Sequence, residues 1–476
     1  MSPGLRRRAA FPVLALVVVA VNLPQSVVVP VLPAIGASYG ADQVTATWLI
    51  TGFLLSSGVA TPLLGRLGDG IGQRRILAGA LVVLALGCAG AALAHTIGWA
   101  IAMRFVQGVS GGAVPVAFSA VRAAVPPERL TYGVAVLATV GSIAFSLGIV
   151  VSGPLLSAAG PGAVFLLPCV VALLAAVGVL LVIPSSTPAT APVGRFGPLP
   201  VLLFSGGLVS LLLAISQSGR RGWDSPVVLG LGVAGALLGG LWAQRERLST
   251  APFIDLRMMR RRGVWTGNLV AVLAGIGLFG CAAGLPLLLR TPSDSGYGVG
   301  ASVDEVGLLM APIALAAFVT SLCTGHLYRR FSARALLVAG AVLSAASYVG
   351  IAGWHDSRWV IVGWCALQGV GNGLILSTVA GVVVAAVPAH QTGVASGLNT
   401  NVRTIGGSFG AAATAAILSA HTRNGATDEH GFVVAFSMMA GAMAVAGVAA
   451  LLVPGPGAEQ DEGRQVADGQ LAGEMS

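Results

Sequence analysis

The chain has 476 residues, of which 55% are hydrophobic and only 9% are charged. Soluble proteins carry roughly a quarter charged residues, so this composition excludes a water-facing surface and leaves no room for a sizeable soluble domain. The net charge of +9 comes from arginine alone, and the arginines lie in short segments between apolar runs rather than on one exposed face, which argues against a nucleic-acid partner.

Apolar runs of about 20 residues, enough to cross ~30 Å of hydrocarbon, recur along the chain. We predict fourteen transmembrane helices, at 11–33, 46–64, 76–95, 98–121, 132–156, 162–184, 199–216, 226–243, 264–289, 304–323, 335–353, 358–380, 393–419 and 432–453. An even number puts both termini on one side, and a cytoplasmic N-terminus places most arginines in cytoplasmic segments. Because the first apolar run continues to about Pro33 and further spans follow, an uncleaved first helix is favoured over a signal peptide.

Three short segments recur in the same order at an offset of 260 or 261 residues. The pairs are Gly65-Arg66-Leu67 with Gly325-His326-Leu327, Gln107-Gly108-Val109 with Gln368-Gly369-Val370, and Gly133-Val134-Ala135 with Gly393-Val394-Ala395. A shared offset indicates an internal duplication, and the matched elements are eight predicted helices apart. We therefore predict two six-helix bundles at 1–184 and 263–453, two inserted helices and a cytoplasmic linker at 185–262, and a disordered cytoplasmic tail at 454–476.

The segment between predicted helices 2 and 3 is the strongest local motif. Its glycines permit a tight turn and a close helix approach, and Asp69 is able to accept charge-assisted hydrogen bonds from an arginine or a helix N-terminus. We interpret Gly65, Asp69, Gly72 and Arg74 as a conformational latch whose partner is present in only one state. The alternative is a polar turn with positive-inside arginines, which leaves the spacing Gly-x3-Asp-x2-Gly unexplained.

This segment resembles the signature loop of the major facilitator superfamily, and fourteen helices in this arrangement look like its drug-proton antiporter branch, which includes actinobacterial multidrug efflux permeases. Further similar segments are 104–108, 251–256 and 391–400. The resemblance implies an all-α carrier in the bacterial plasma membrane that alternates access between two bundles. It also implies a monomer that exports drug-like hydrophobic or amphipathic compounds in exchange for protons and contains no cofactor.

Two arginines fall inside predicted helices, where a charge is costly enough to suggest a function. Arg104 lies roughly 10 Å below the external surface at 1.5 Å per residue, and Gln107 is one turn away on the same face. The resemblance implies a role for Arg104 in proton or substrate coupling; the alternative is a snorkelling arginine paired to nearby carbonyls. Arg403 lies near Asn399 and several glycines, so it is either a ligand contact or a structural arginine facing the bundle interior.

Proton exchange needs a titratable group accessible from each side in turn. None of the seventeen Asp and Glu residues and none of the six histidines falls near the centre of a predicted helix. The family's first helix usually carries an aspartate nine residues before the proline of its Ala-Leu-Pro stretch, and here that position is Pro24. The remaining candidates for a proton acceptor are Asp304 and Glu305 at the outer start of helix 10. They and Asp42, before helix 2, have the alternative role of favouring a helix N-terminus.

For the substrate cavity we select polar and aromatic residues of the predicted pore-lining helices, because a largely apolar pocket with a few polar groups suits drug-sized ligands. They are Asn22, Gln25, Trp48, Phe53, Gln107, Asn268, Gln368 and Asn372. Each has the alternative role of packing helix against helix.

Other kinds of site are not indicated. The five cysteines lie in apolar segments without metal-ligand or disulfide spacing. The sequence has no lysine, which excludes a P-loop. A membrane enzyme would need clustered carboxylates or histidines near a membrane face. Two rivals stay open: a metabolite facilitator or importer of the same fold without proton exchange, and a non-transporting sensor.

Overall fold

The computed structural model describes residues 3–41, 43–125, 130–184, 198–249, 256–328, 330–355, 357–388, 391–423 and 426–454. Several predictions fall outside these described residues. They concern Asp42, the side chains of Asp69 and Asp304, the linker segments 185–197 and 250–255, and the tail from 455 onward.

The described chain is almost entirely helical. The helices are α1 (Pro3–Ser38), α2 (Gln43–Ile71), α3 (Gln73–Ala92), α4 (Ile97–Gly108), α5 (Ala113–Ala124), α6 (Leu130–Val182), α7 (Pro198–Arg221), α8 (Pro226–Leu248), α9 (Leu256–Met259), α10 (Arg262–Arg290), α11 (Val303–Leu327), α12 (Ala333–Gly353), α13 (Arg358–Ala385), α14 (Thr392–Ala420) and α15 (Glu429–Ala450). Short 3₁₀ helices occupy Val109–Gly112 and Ser293–Ser295, and strands β1 (Thr422–Arg423) and β2 (Ala426–Thr427) pair antiparallel.

Twelve helices in the described ranges are long and apolar enough to cross a membrane. One of the twelve, Val136–Val182, has 47 residues, and α14 is not among them. The residues Asn399, Asn401 and Arg403 lower the hydropathy of α14. The chain is thus an all-helical membrane protein, and the prediction of fourteen helices stays a prediction.

The long helix α6 consists of two helical segments joined at Gly160, whose backbone has φ 74° and ψ −177°. L-residues other than glycine rarely adopt a positive φ, and Pro161 cannot donate a backbone hydrogen bond across the junction. The change of direction lies between the predicted helices 132–156 and 162–184. Each segment is therefore long enough to cross a bilayer by itself.

The predicted helix 98–121 is interrupted in the structure. A 3₁₀ turn at Val109–Gly112 separates α4 from α5. The backbone here lies so close to α2 that a Cβ on Gly112 would be 2.6 Å from Leu64 Cβ and 2.7 Å from Ala60 O. Pro115 also lacks the N–H that would continue the α-helical ladder through this turn. Close contact with α2 and the missing donor together explain the interruption.

Buried side chains form separate cores in the two halves of the chain. One core consists of residues 258–453, from α9 to α15. Two others consist of residues 10–183, from α1 to α6, with Val384 as the exception. The helices α7 and α8 lie outside these cores, and α7 packs through Leu208 and Leu212 against Leu55 of α2.

Helix α3 shows how the sequence sets which face of a helix meets protein. Leu77, Leu81 and Leu84 recur at helical spacing and are fully buried. Val82 and Leu86, on the opposite face, are exposed. An exposed leucine is costly in water but not in hydrocarbon, so this face is suited to lipid.

We expect Gly160→Ala to destabilise the protein, because this combination of positive φ and extended ψ costs a residue with a Cβ about 1–3 kcal/mol. A Cβ at Gly160 would meet no atom within 4 Å, so steric overlap does not contribute. Gly79→Ala is the matched control, because Gly79 also has open space around it but lies within α3. Thermal unfolding of the purified variants in detergent measures the difference. Equal unfolding temperatures for the two variants would contradict this account of the junction.

Candidate functional site

A cavity lies between the two halves of the chain, lined by side chains from α1, α2, α5, α6, α10, α11, α13 and α14. Most of the lining is apolar. Phenylalanines from both halves contribute: Phe53, Phe118, Phe145 and Phe279. The rings of Phe145 and Phe279 face each other across the halves with centroids 6.4 Å apart. Such a lining suits a drug-sized, partly aromatic ligand.

Four of the residues selected from the sequence for the cavity line it: Asn22, Gln25, Phe53 and Asn372. The amide nitrogen of Asn22 donates to Val18 O at 2.8 Å. By contrast, Asn372 Nδ2 has no hydrogen-bond partner among the described residues, although its side chain is only 5% exposed. Asn372 therefore presents an unused donor at the cavity wall.

Helix α14 contributes a polar face that the sequence predictions largely missed. Its lining residues are Ser396, Asn399, Thr400, Arg403 and Thr404. Their spacing of i, i+3, i+4, i+7 and i+8 places them on one face of a helix. That spacing is readable from the sequence, so this is the signal that identifies the face.

Arg403 lies in this face, and its guanidinium forms no hydrogen bond or ion pair with any described residue. Its backbone is held closely: a Cβ on Gly406 or Gly410 of the same helix would overlap the carbonyls of Val272 and Ile276 in α10. Glycines at this helix crossing thus fix α14 against α10. Among the described lining residues, Arg403 is the only charged one.

Arg104 has the opposite environment. It is fully buried in the first half, and its Nε donates to Leu49 O at 2.6 Å, while Nη1 donates to Pro24 O at 3.0 Å and to Gln107 Oε1 at 2.6 Å. Its guanidinium carbon also lies 4.6 Å from the ring centre of Phe53. Arg104 thereby joins α4 to α1 and α2 and does not line the cavity.

The two duplicated glutamines are buried in their own halves. Gln107 Nε2 donates to Gly87 O at 3.0 Å. Gln368 Nε2 donates to Tyr348 Oη at 2.8 Å, and Gln368 Oε1 accepts from Cys281 Sγ at 3.4 Å. Gln368 borders a smaller cavity next to the central one, whereas Gln107 borders neither.

Two more of the residues selected for the cavity pack elsewhere. Trp48 packs against the apolar cluster of α2 and α7. Asn268 lies behind the lining, where its Oδ1 accepts from Asn399 Nδ2 at 2.9 Å. Whether such a residue lines the cavity or packs behind the lining depends on the rotation of its helix about the helix axis. The sequence alone does not fix this rotation.

The predicted latch segment lies where α2 meets α14. A Cβ on Gly65 would be 3.1 Å from Gly393 O, so the two halves approach closely there. Gly72 has φ 110° and begins α3, a backbone conformation that favours glycine. Arg74 Nη2 donates to Leu180 O at 2.5 Å, within the first half. The side chain of Asp69 lies outside the described residues, so the latch stays a prediction.

The halves also approach each other at the opposite end of the cavity. A Cβ on Gly307 of α11 would lie 3.5 Å from Ile149 O and Val150 Cα of α6. The two halves therefore contact each other both where α2 meets α14 and where α6 meets α11.

Glu305 lies at the start of α11 and does not line the cavity. Its Oε2 accepts from Ser302 N at 2.8 Å, and the Ser302 Oγ accepts from Glu305 N at 3.3 Å, forming a capping box. Its Oε1 lies 3.2 Å from Arg358 Nη1. These contacts are those expected of a helix-capping carboxylate.

Comparison with known proteins gives a consistent family. The chain matches the model of the Major Facilitator Superfamily over residues 14–411, with an overlapping match over 292–472. A multidrug resistance protein B homolog of Mycobacterium tuberculosis is 28% identical over 427 residues, covering 87% of this chain and 76% of that protein. The tetracenomycin C resistance and export protein of Streptomyces glaucescens is 27% identical over 421 residues, covering 87% and 77%.

Among solved structures, the proton:xylose symporter XylE aligns with a TM-score of 0.67, covering 95% of this chain and 97% of that one. The two sequences are 13% identical. This likeness shows the fold alone.

We expect Arg104→Lys to lower both the unfolding temperature and the transport activity. The lysine ammonium lacks the planar guanidinium that donates to Leu49 O, Pro24 O and Gln107 Oε1 at the same time. Hydrogen bonds from a charged group contribute about 1.5–3 kcal/mol each. Arg290→Lys, at the exposed end of α10, is the control with the same chemical change. Thermal unfolding and efflux are measured on the same preparations. If Arg104→Lys behaves like Arg290→Lys, the fork geometry is not needed, and Arg104→Ala then shows whether the charge itself is needed.

We expect Gly65→Ala to favour conformations in which α2 and α14 are apart, because a methyl group at 3.1 Å from Gly393 O is too close for normal packing. Spin labels at the exposed Ile71, which ends α2, and at the exposed Ala385, which ends α13 seven residues before α14, report the separation of the two halves as a distance distribution in a cysteine-free background. Gly441→Ala is the control, since a Cβ there meets nothing within 4 Å. A distribution unchanged from the parent would show that this contact does not bias the conformational equilibrium.

Proposed function

Because the chain belongs to the Major Facilitator Superfamily, we propose that it exports small hydrophobic or amphipathic compounds, such as antibiotics, across the bacterial plasma membrane. The observation that carries this proposal is the largely apolar, phenylalanine-lined cavity between the two halves. Relatives named for multidrug resistance and for tetracenomycin export support the outward direction. The members of this superfamily are transporters rather than enzymes, and they bind small molecules.

The proposed architecture has fourteen membrane crossings. The kink at Gly160 supports counting α6 as two crossings, and the length of α14, 29 residues, is sufficient for another. In this proposal residues 1–184 and 263–453 are the two bundles, α7 and α8 are the inserted pair, and both termini are cytoplasmic. The monomer alternates access by rocking the bundles about the cavity, with the latch segment closing the cytoplasmic side.

The energy source has two candidates. Proton exchange is the coupling of the branch that the sequence resembles, and it would use Arg104 with the outer carboxylates Asp304 and Glu305. The second candidate is a carrier that uses no proton. It is favoured by one observation: among the described lining residues there is no carboxylate and no histidine.

A flux assay in proteoliposomes tests both the export function and the energy source. The probes are two dyes with the same three-ring skeleton, the anion fluorescein and the cation rhodamine 123. We expect the protein to accelerate the movement of at least one dye relative to liposomes containing Arg104→Ala. Loss of both dye fluxes, with the protein correctly inserted, would contradict the export proposal.

The same vesicles receive either a pH gradient or a potassium diffusion potential set with valinomycin. If the pH gradient drives flux, the double variant Asp304→Asn with Glu305→Gln should abolish that response while dye binding in detergent persists. If only the potential drives flux, the carrier moves net charge without protons. A pH response that is equal in the double variant would exclude these two carboxylates as the proton site.

A further inference from the structure

We infer that the central cavity recognises organic anions, with Arg403 as the cation that binds the carboxylate or phenolate of an aromatic substrate. This inference rests on the proposed export function and adds the substrate class to it. It is carried by the contrast between the two arginines of the membrane region and by the unused donors around one of them.

The first step is that Arg403 has no hydrogen-bond or ion-pair partner among the described residues. Arg104 Nε and Nη1 donate to two backbone carbonyls and to Gln107, and only its Nη2 has no partner among the described residues. No described residue accepts a hydrogen bond from the Arg403 guanidinium or pairs with its charge. Arg104 is fully buried, whereas Arg403 is partly exposed, in the lining of the cavity. A guanidinium cannot lose its charge in a protein, so Arg403 needs an external acceptor.

The second step is the charge balance of the cavity. Arg403 is the only charged side chain among the described residues that line it, so the wall carries a positive charge without a counter-charge. An anionic ligand would restore neutrality inside an apolar enclosure. A cationic ligand would add a second positive charge with no carboxylate to compensate either one. Like charges brought together in such an environment cost several kcal/mol, which selects against cations.

The third step is the presence of further donors without partners in the same wall. Asn372 Nδ2 has no hydrogen-bond partner among the described residues, and Asn372 is 5% exposed. The Oγ of Ser396, with a side chain 6% exposed, also has none among the described residues. Both groups line the cavity together with Arg403. A buried donor without a partner is costly, and an anionic oxygen is the ligand group that would satisfy it.

The fourth step concerns the rest of the ligand. Phe53, Phe118, Phe145 and Phe279 line the same cavity. Aromatic rings interact favourably with other rings in offset or edge-to-face arrangements. A planar aromatic body that carries an acidic group therefore matches both the apolar and the charged parts of the wall.

The test measures binding of two dyes to the purified full-length protein in detergent by fluorescence anisotropy. Fluorescein and rhodamine 123 share their ring skeleton and differ in charge, so size and aromatic area are nearly constant. We expect the protein to bind fluorescein at least tenfold more tightly than rhodamine 123. Equal binding, or tighter binding of rhodamine 123, would overturn the inference.

Variants then assign the preference to Arg403. Arg403→Gln should weaken fluorescein binding at least tenfold, because a charge-assisted hydrogen bond is lost, and should not weaken binding of rhodamine 123. Arg403→Lys, which keeps the charge, should lose less. Arg290→Gln is the matched control, because it removes the same charge at the exposed end of α10. A loss of fluorescein affinity equal in Arg403→Gln and Arg290→Gln would show that only the net charge of the protein matters and would overturn the site.

A second variant guards against misfolding of Arg403→Gln. Asn372→Ala removes a donor that no described residue uses, and it should weaken fluorescein binding by about threefold to tenfold while thermal unfolding stays normal. Unchanged fluorescein affinity in Asn372→Ala would remove this residue from the site. Failure of both Asn372→Ala and a folded Arg403→Gln to weaken binding would overturn the inference as a whole.

Dye flux in proteoliposomes separates this inference from the export proposal. Movement of fluorescein in preference to rhodamine 123 supports both. Movement of rhodamine 123 alone leaves export standing and overturns the anion inference. Tight, Arg403-dependent binding of fluorescein without movement of either dye supports the anion site and contradicts export. If fluorescein is neither bound nor moved, the inference is contradicted.

Discussion

Hydrocarbon offers no water to solvate a guanidinium, so an arginine inside a membrane bundle depends on partners from the protein itself. Arg104 obtains them from α1, α2 and its own helix: the carbonyls of Pro24 and Leu49, the amide oxygen of Gln107 and the ring of Phe53. These contacts join three helices of the first half around one charge. Arg403 has no such set of partners among the described residues, and its charge lies in the wall of the cavity. The two arginines thus meet the same constraint differently. The contacts of Arg104 organise the first half, and the charge of Arg403 determines the chemistry of the cavity.

The predicted duplication allows the two halves to be compared position by position. At the shared offset of 261 residues, Gln107 corresponds to Gln368, while Arg104 corresponds to Cys365 and Gly87 to Tyr348. In the first half the glutamine bonds to the arginine and to the Gly87 carbonyl; in the second it bonds to the Tyr348 hydroxyl, which is fully buried. A neutral aromatic cluster thus occupies the place of an ion in the second half. The second half instead contributes the charge of Arg403, on the face of α14 that lines the cavity. The two halves therefore differ in their chemistry.

The family, the helical fold and four of the eight residues selected for the cavity followed from the sequence, because apolar run length and motif spacing are local properties. The family is confirmed by the matched family model. The 3₁₀ turn at Val109–Gly112 was not predicted, since it depends on contact with α2. The positions of Trp48 and Gln107 depend on how each helix is rotated, which periodicity leaves open where apolar residues surround a helix. The regular spacing of the polar residues of α14 is readable from the sequence. That Arg403 has no partner among the described residues depends on three-dimensional packing, which the sequence does not give.

The missing membrane carboxylate has a physical explanation if the substrate is an anion. The cytoplasm is electrically negative, so an outward-moving anion gains about 2.3 kcal/mol per charge for each 100 mV of potential. Arginine keeps its proton through the cycle, and the described lining holds no group that titrates near neutral pH, so the protein's charge in the cavity is the same on both sides. The net charge moved is then that of the substrate, and export is downhill without a counter-ion. A carboxylate next to Arg104 would provide a titrating pair, but here the carbonyl of Pro24 accepts from the guanidinium. If the substrate is an anion, the charge of the cargo itself supplies the driving force, and no aspartate is needed at the position of Pro24.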